Sequence, residues 1–252
     1  MALTEIPVEL SSTPGIADSS NATAITIDSS EKVGIGTGSD SLTRELTVKL
    51  AGQADVSIVG ATNQYAQLLF GDTDADNKGI VAYDNTNDNL ELWTSGAAAF
   101  RVDSDGHIRL PKQSAFLAIQ SVAVNNIATD ASDHNIGYGN EIFDQNADYN
   151  NSTYTFTAPI TGRYQLQSLV YLSTVDADCT YIILRIKTSN RNYSAIMRPD
   201  FGADLDRFHL TNAVLADMDA SDTAVCTISQ YEGTAQMDAV NSTGYFSGYL
   251  VA

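Results

Sequence analysis

Three histidines and two cysteines are the residues of this chain best suited to metal or nucleophile chemistry, and none has the spacing that chemistry needs. His107, His134 and His209 lie far apart in sequence, with no ligand motif joining them. Cys179 and Cys226 are 47 positions apart, each inside a strand-like run, and read as small buried hydrophobes rather than as a disulfide or a metal pair. No nucleophile elbow surrounds any serine. GIGTG at 34–38 lacks the GK[ST] that completes a phosphate loop. In DTDADNKG, Asp72, Asp74 and Asp76 have the first three spacings of a calcium loop. The sixth position is Asn77 instead of Gly and the twelfth Tyr83 instead of Glu, so a solvated hairpin turn is the better reading. Aspartates are so numerous that a glycosidase pair is conceivable, but no two are singled out. No cofactor motif emerges.

The remaining chemistry is electrostatic. The net charge is −18, which argues against a nucleic-acid binder, because neutralising phosphates needs a basic surface. Between residues 161 and 210 six basic residues face five acids. That segment is about +1 while the rest of the chain is about −19. Arg185, Lys187, Arg191, Arg198 and Arg207 are therefore candidate contacts to an acidic ligand, against the plainer reading of scattered solvated charges.

The elements that would position these groups are strands. Of 31 acids, 24 are Asp and 7 are Glu, a bias toward turns and away from helix interiors. Apolar residues make up 43% of the 252, enough for a packed core. No run approaches a membrane span, and the N-terminus has neither the basic nor the apolar region of a signal peptide. An all-β protein without membrane insertion is expected.

Four regions follow along the chain. Residues 1–31 are rich in Ser, Thr, Ala and Asp and suit an attachment arm ordered by a partner. Residues 32–113 alternate short strands with turns: VGIGT, ELTVKL, DVSIVG, YAQLLFGD, KGIVAYD, NLELWTSG, AFRVDSDG and HIRLP. Strands this short have little core of their own, and association with further copies would supply one. Residues 114–139 form a connecting segment. In 140–252 the strands lengthen: Tyr164, Leu166, Ser168, Val170 and Leu172 fall on one face of one strand, and Ile182, Leu184 and Ile186 oppose Arg185 and Lys187 on another. Five or more such strands imply a sandwich or barrel.

FDQNADYNNSTYTFTAPITGRYQLQ and the terminal YFSGYLV resemble the globular head of complement component one q and its tumour-necrosis-factor-like relatives. The residues carrying the resemblance are Phe143, Asn146, Tyr149, Phe156, Thr157, Ala158, Pro159, Gly162 and Tyr164, then Phe246, Ser247, Gly248 and Leu250. Pro159 and Gly162 bracket a turn, across which Phe156 and Tyr164 are expected to meet on neighbouring strands. The resemblance covers about 110 residues. It departs from the family where the usual Gly before Phe156 is missing and in the middle strands. It implies a ten-stranded jelly roll forming a tight homotrimer, with both termini at one end and binding loops at the other.

NATAITIDSSEKVGIGT and LFGDTDADNKGIVAYDNTNDNLELWTSGAAAFRVDSDGHIRL resemble segments of bacteriophage tail-fibre proteins through the ITID run, the paired glycines of VGIGT and the SDG turn. Together the two resemblances imply a virion fibre. Its arm would hold other virion proteins, and its trimeric jelly-roll head would adhere to a glycan or protein of the host surface by binding rather than catalysis. The alternatives are a depolymerase cutting host polysaccharide and a structural decoration or adaptor protein of the virion.

Overall fold

The computed structural model describes residues 25–37 and 40–252, and every regular element is a strand. The chain divides into two compact units, Met1–Val59 and Gly60–Ala252. Of the expected arm, residues 1–24 lie outside the described residues. The rest of it contributes β1 (Ile25–Ile27), which pairs antiparallel with β2 (Val33–Ile35), and β2 pairs parallel with β3 (Leu46–Val48). Asp28 closes the β1–β2 turn by accepting from the backbone N–H of Ser30 and Lys32. DVSIVG, expected as a strand, is irregular, with Val56 and Val59 exposed. A strand needs a neighbour to pair its backbone, and none pairs with this stretch among the described residues.

The second unit opens with a five-stranded antiparallel meander: β4 (Tyr65–Phe70), β5 (Gly79–Asp84), β6 (Asn89–Thr94), β7 (Ala97–Val102) and β8 (Ile108–Arg109), in spatial as in sequence order. Its turns carry the aspartates. Asp72 accepts from the backbone N–H of Asp74 and Ala75 and pairs with Lys78, so the carboxylate is spent on closing its own hairpin.

From Ala115 the chain builds a jelly-roll sandwich. One sheet has the order β11 (Asn140–Asp144), β9 (Ala115–Ile119), β19 (Asp238–Leu250), β14 (Gly162–Ser173), β17 (Phe208–Met218). The other runs β12 (Tyr149–Asn150), β13 (Thr155–Thr157), β18 (Thr223–Tyr231), β15 (Tyr181–Thr188), β16 (Asn192–Met197), with β10 (His134–Asn135) added beside β18. The sandwich thus starts well before residue 140, in the stretch read as a connector. Phe116 of β9 stacks on Tyr149 and Phe156, each at 4.8 Å, and meets Phe246 edge-on at 5.0 Å. Ile127, Ile136 and Tyr138 are also fully buried. The apolar run that includes Phe116 is short, and nothing local marks it as the strand that completes a distant sheet.

The expected faces hold. Tyr164, Leu166, Ser168, Val170 and Leu172 are sealed in the core, as are Ile182, Leu184 and Ile186. Phe156 and Tyr164 meet, with centroids 5.4 Å apart, but not on neighbouring strands: β13 and β14 belong to opposite sheets. The Pro159 to Gly162 turn carries the chain across the sandwich, and the Tyr164 hydroxyl donates to the Ile160 carbonyl to fix that corner. The two motif glycines are sites of close approach. A Cβ at Gly162 would come within 2.7 Å of the Ala252 carbonyl, and one at Gly248 within 2.6 Å of Leu166 and 2.8 Å of Phe116.

Candidate binding surface

Cysteine and histidine chemistry can be placed first. Both cysteines are free and buried; burial raises the Cys179 thiol to about 11 and the Cys226 thiol to about 12, so neither is a thiolate at neutral pH. His107 belongs to the β7–β8 turn beside Asp103. His134 lies next to Ser132 at the edge of β18. His209 of β17 packs edge-on against Tyr171 at 5.0 Å. The three stand in three different places.

Strand direction sorts the five candidate cations. β14 starts beside the C-terminus, where the Arg163 N–H donates to the Ala252 carbonyl, and β9 starts there too, next to the Leu250–Ser114 backbone bond. Both termini of the sandwich are therefore at one end. Arg191, in the β15–β16 turn, is at that end, 3.9 Å from Asp217. Arg185 and Lys187 lie along β15 on the outer face, and both reach Asp133, Lys187 at 2.7 Å. Burial works against the Asp133 carboxylate, yet Lys187 and Arg185 outweigh it and hold its pKa below the usual carboxylate range. Arg198 and Arg207 flank the β16–β17 loop at the far end, exposed and without an ion-pair partner among the described residues. The five cations do not converge. Antiparallel pairing sends a residue before and a residue after one strand to opposite ends, whatever their separation in sequence.

At that far end a buried carboxylate ties two loops together. Asp176, 1% exposed, accepts from the backbone N–H of Asp178 at 2.8 Å and of Ala235 at 2.7 Å, and also from Thr234. Burial would raise its pKa, but these amide donors win and hold it low. Gly233 makes room, at φ +108, since a Cβ there would come within 2.4 Å of the carboxylate. Composition gave no sign of this group; only the meeting of the β14–β15 and β18–β19 loops distinguishes Asp176 from the other aspartates.

A broad surface without charge is the outward side of the β9-containing sheet. The register places Leu117 and Ile119 of β9 beside Tyr245, Ser247 and Tyr249 of β19. Next come Gln165, Gln167 and Leu169 of β14, then Thr211, Ala213 and Leu215 of β17. Leu215, Tyr249 and, on β11, Phe143 are each about half exposed. Between the Arg163–Asp217 row at one end and the Tyr171–His209 row at the other, none of these paired positions is charged.

No protein-family model matches the chain, and no curated protein is similar to it. Several solved structures are. The globular domain of zebrafish complement 1qA is 16% identical, at a TM-score of 0.39, over 56% of this chain and 98% of that one. Murine APRIL is 11% identical, at 0.40, over 56% and 100%. Eiger TNF from S. frugiperda is 12% identical, at 0.37, over 56% and 92%.

Proposed function

We propose that this chain is the subunit of a homotrimeric virion fibre whose jelly-roll head adheres to the host surface, with other virion proteins held at its N-terminal side. The observation that carries the reading is the uncharged, half-exposed face of the β9 sheet, opposite a core already complete within one chain. A finished sandwich has no need of that face for its own packing, and a second copy covers it without burying charge. The number three comes from the resemblance of the head motifs to trimeric heads.

Adhesion in this reading is multivalent binding, in which weak contacts gain strength because the trimer presents each of them three times. Arg198 and Arg207 are the proposed contacts, as guanidinium forks suited to carboxylate or sulfate groups of a host glycan. They are exposed, have no ion-pair partner among the described residues, and stand at the end of the sandwich opposite Ala115 and Ala252. Arg185 and Lys187 are already engaged by Asp133, and Arg191 stands at the wrong end.

Sedimentation tests the assembly: the purified chain should run as three times 27.0 kDa at micromolar concentration. A folded monomer would remove the basis of the proposal. For the role itself, antibody against the chain should decorate purified phage particles and block their adsorption to host cells; particles left undecorated would show that the chain is not a virion protein.

A further inference from the structure

The meander β4–β8 has its burial the wrong way round for a sheet that is complete in one chain. On β6, Asn89 and Glu91 are buried, whereas Leu90 and Leu92, which alternate with them, are each 44% exposed. Registered pairing extends this across the sheet. Leu68, Val81, Leu92 and Phe100 form one row, and Ala66, Tyr83, Leu90, Val102 and Ile108 the next, all on the same side. No charged residue stands in either row.

On the opposite side the chain's own side chains close the rows around Ala82 and Glu91, leaving Leu69 and Tyr65 partly exposed toward the β4 edge. Glu91, fully buried, pairs with Arg101 and accepts from the Trp93 indole N–H at 2.7 Å, and Tyr65 packs edge-on against Trp93 at 5.6 Å. The one buried carboxylate of that side is thus held by an ion pair and an indole hydrogen bond. The apolar side has no covering element among the described residues.

We propose that this apolar face is a second intermolecular core, separate from the head, in which the meanders of the copies pack against one another. The inference rests on the homotrimer reading above. Two observations favour further copies of the same chain as the occupant. An uncharged face is self-complementary, whereas a different partner would gain nothing specific from it. The meander is also tethered close to the head interface. Only residues 110–114 separate β8 from β9, whose Leu117 and Ile119 lie on the head's own uncovered face. The tether is clamped: Gln145 donates to the Leu110 and Gln113 carbonyls, and Gln113 to the Leu250 carbonyl. Copies joined through the head therefore hold their meanders at high effective concentration. The head would gather the chains, and the meanders would bury what each cannot bury alone.

The test uses the full chain carrying Leu92→Cys, whose two native cysteines are buried. Under mild oxidation it should form an intermolecular disulfide and resist alkylation in the native assembly, while Leu69→Cys on the other side, 45% exposed in the single chain, should be alkylated and stay uncrosslinked. A trimer in which Leu92→Cys is alkylated as fast as Leu69→Cys would overturn this inference yet leave the trimeric head standing. A chain that sediments as a monomer would overturn both. As a second measurement, Leu92→Glu should keep the head trimeric but raise the rate of proteolysis within residues 60–110 at least tenfold; an unchanged rate also overturns the proposal.

Discussion

Asp176 shows how much one buried group carries at the scale of the residue. Its carboxylate is the acceptor for three backbone N–H groups of two loops. Asp176→Asn keeps the shape but turns an amide donor toward at least one of them, and should destabilise the head by about 3 kcal/mol, read by chemical denaturation. The pH dependence has a definite sign. The folded pKa is lowered, so the stabilisation is present above the ordinary carboxylate pKa and is lost as pH falls through the lowered folded value. Asp148 is opposite: burial first, then the Asp144 carboxylate, raise it against the Ser114 hydroxyl. Asp148→Asn should therefore melt above the parent at neutral pH. The two melting temperatures should converge as pH falls through the raised pKa of the parent.

At the scale of the element, strands in this chain are placed by close contacts at glycine. β19 passes Leu166 of β14 and Phe116 of β9 so closely that Gly248 admits no Cβ without displacement. Gly248→Ala should cost about 2 kcal/mol through overpacking, while Gly52→Ala, with nothing within 4 Å, should be neutral. Thermal unfolding of the two variants distinguishes a packing requirement from a general effect of glycine. The β16–β17 loop carries a functional prediction. Arg198→Ala with Arg207→Ala should lower host adsorption several-fold at low salt and less at high salt, because exposed charges are screened. Asp200, Asp204 and Asp206 in the same loop keep its local charge negative, so contact is by the guanidinium fork rather than by long-range attraction. Unchanged adsorption at both salt levels would remove these arginines from the proposed site.

For the whole molecule, the sequence by itself determined the class and the faces. Aspartate-rich turns, alternating runs and the FTAP…G-x-Y and FSG motifs specify an all-β chain with a jelly-roll head, because side-chain alternation and turn chemistry are local properties. The alternation within NLELWTSG likewise puts Leu90 and Leu92 on one side of a strand. Only the tertiary structure decided what covers each face, since a period of two says which residues share a side and nothing about the element opposite. Leu90 and Leu92 remain open while Glu91 between them is sealed by Arg101 and Trp93. The same limit explains the other differences. Phe116 entered the core from a supposed connector, β13 and β14 were split between sheets, and five basic residues within 23 positions were distributed to three places. Each of these depends on which distant strands pair, and that is settled by the long-range register of the sandwich rather than by any local stretch of sequence.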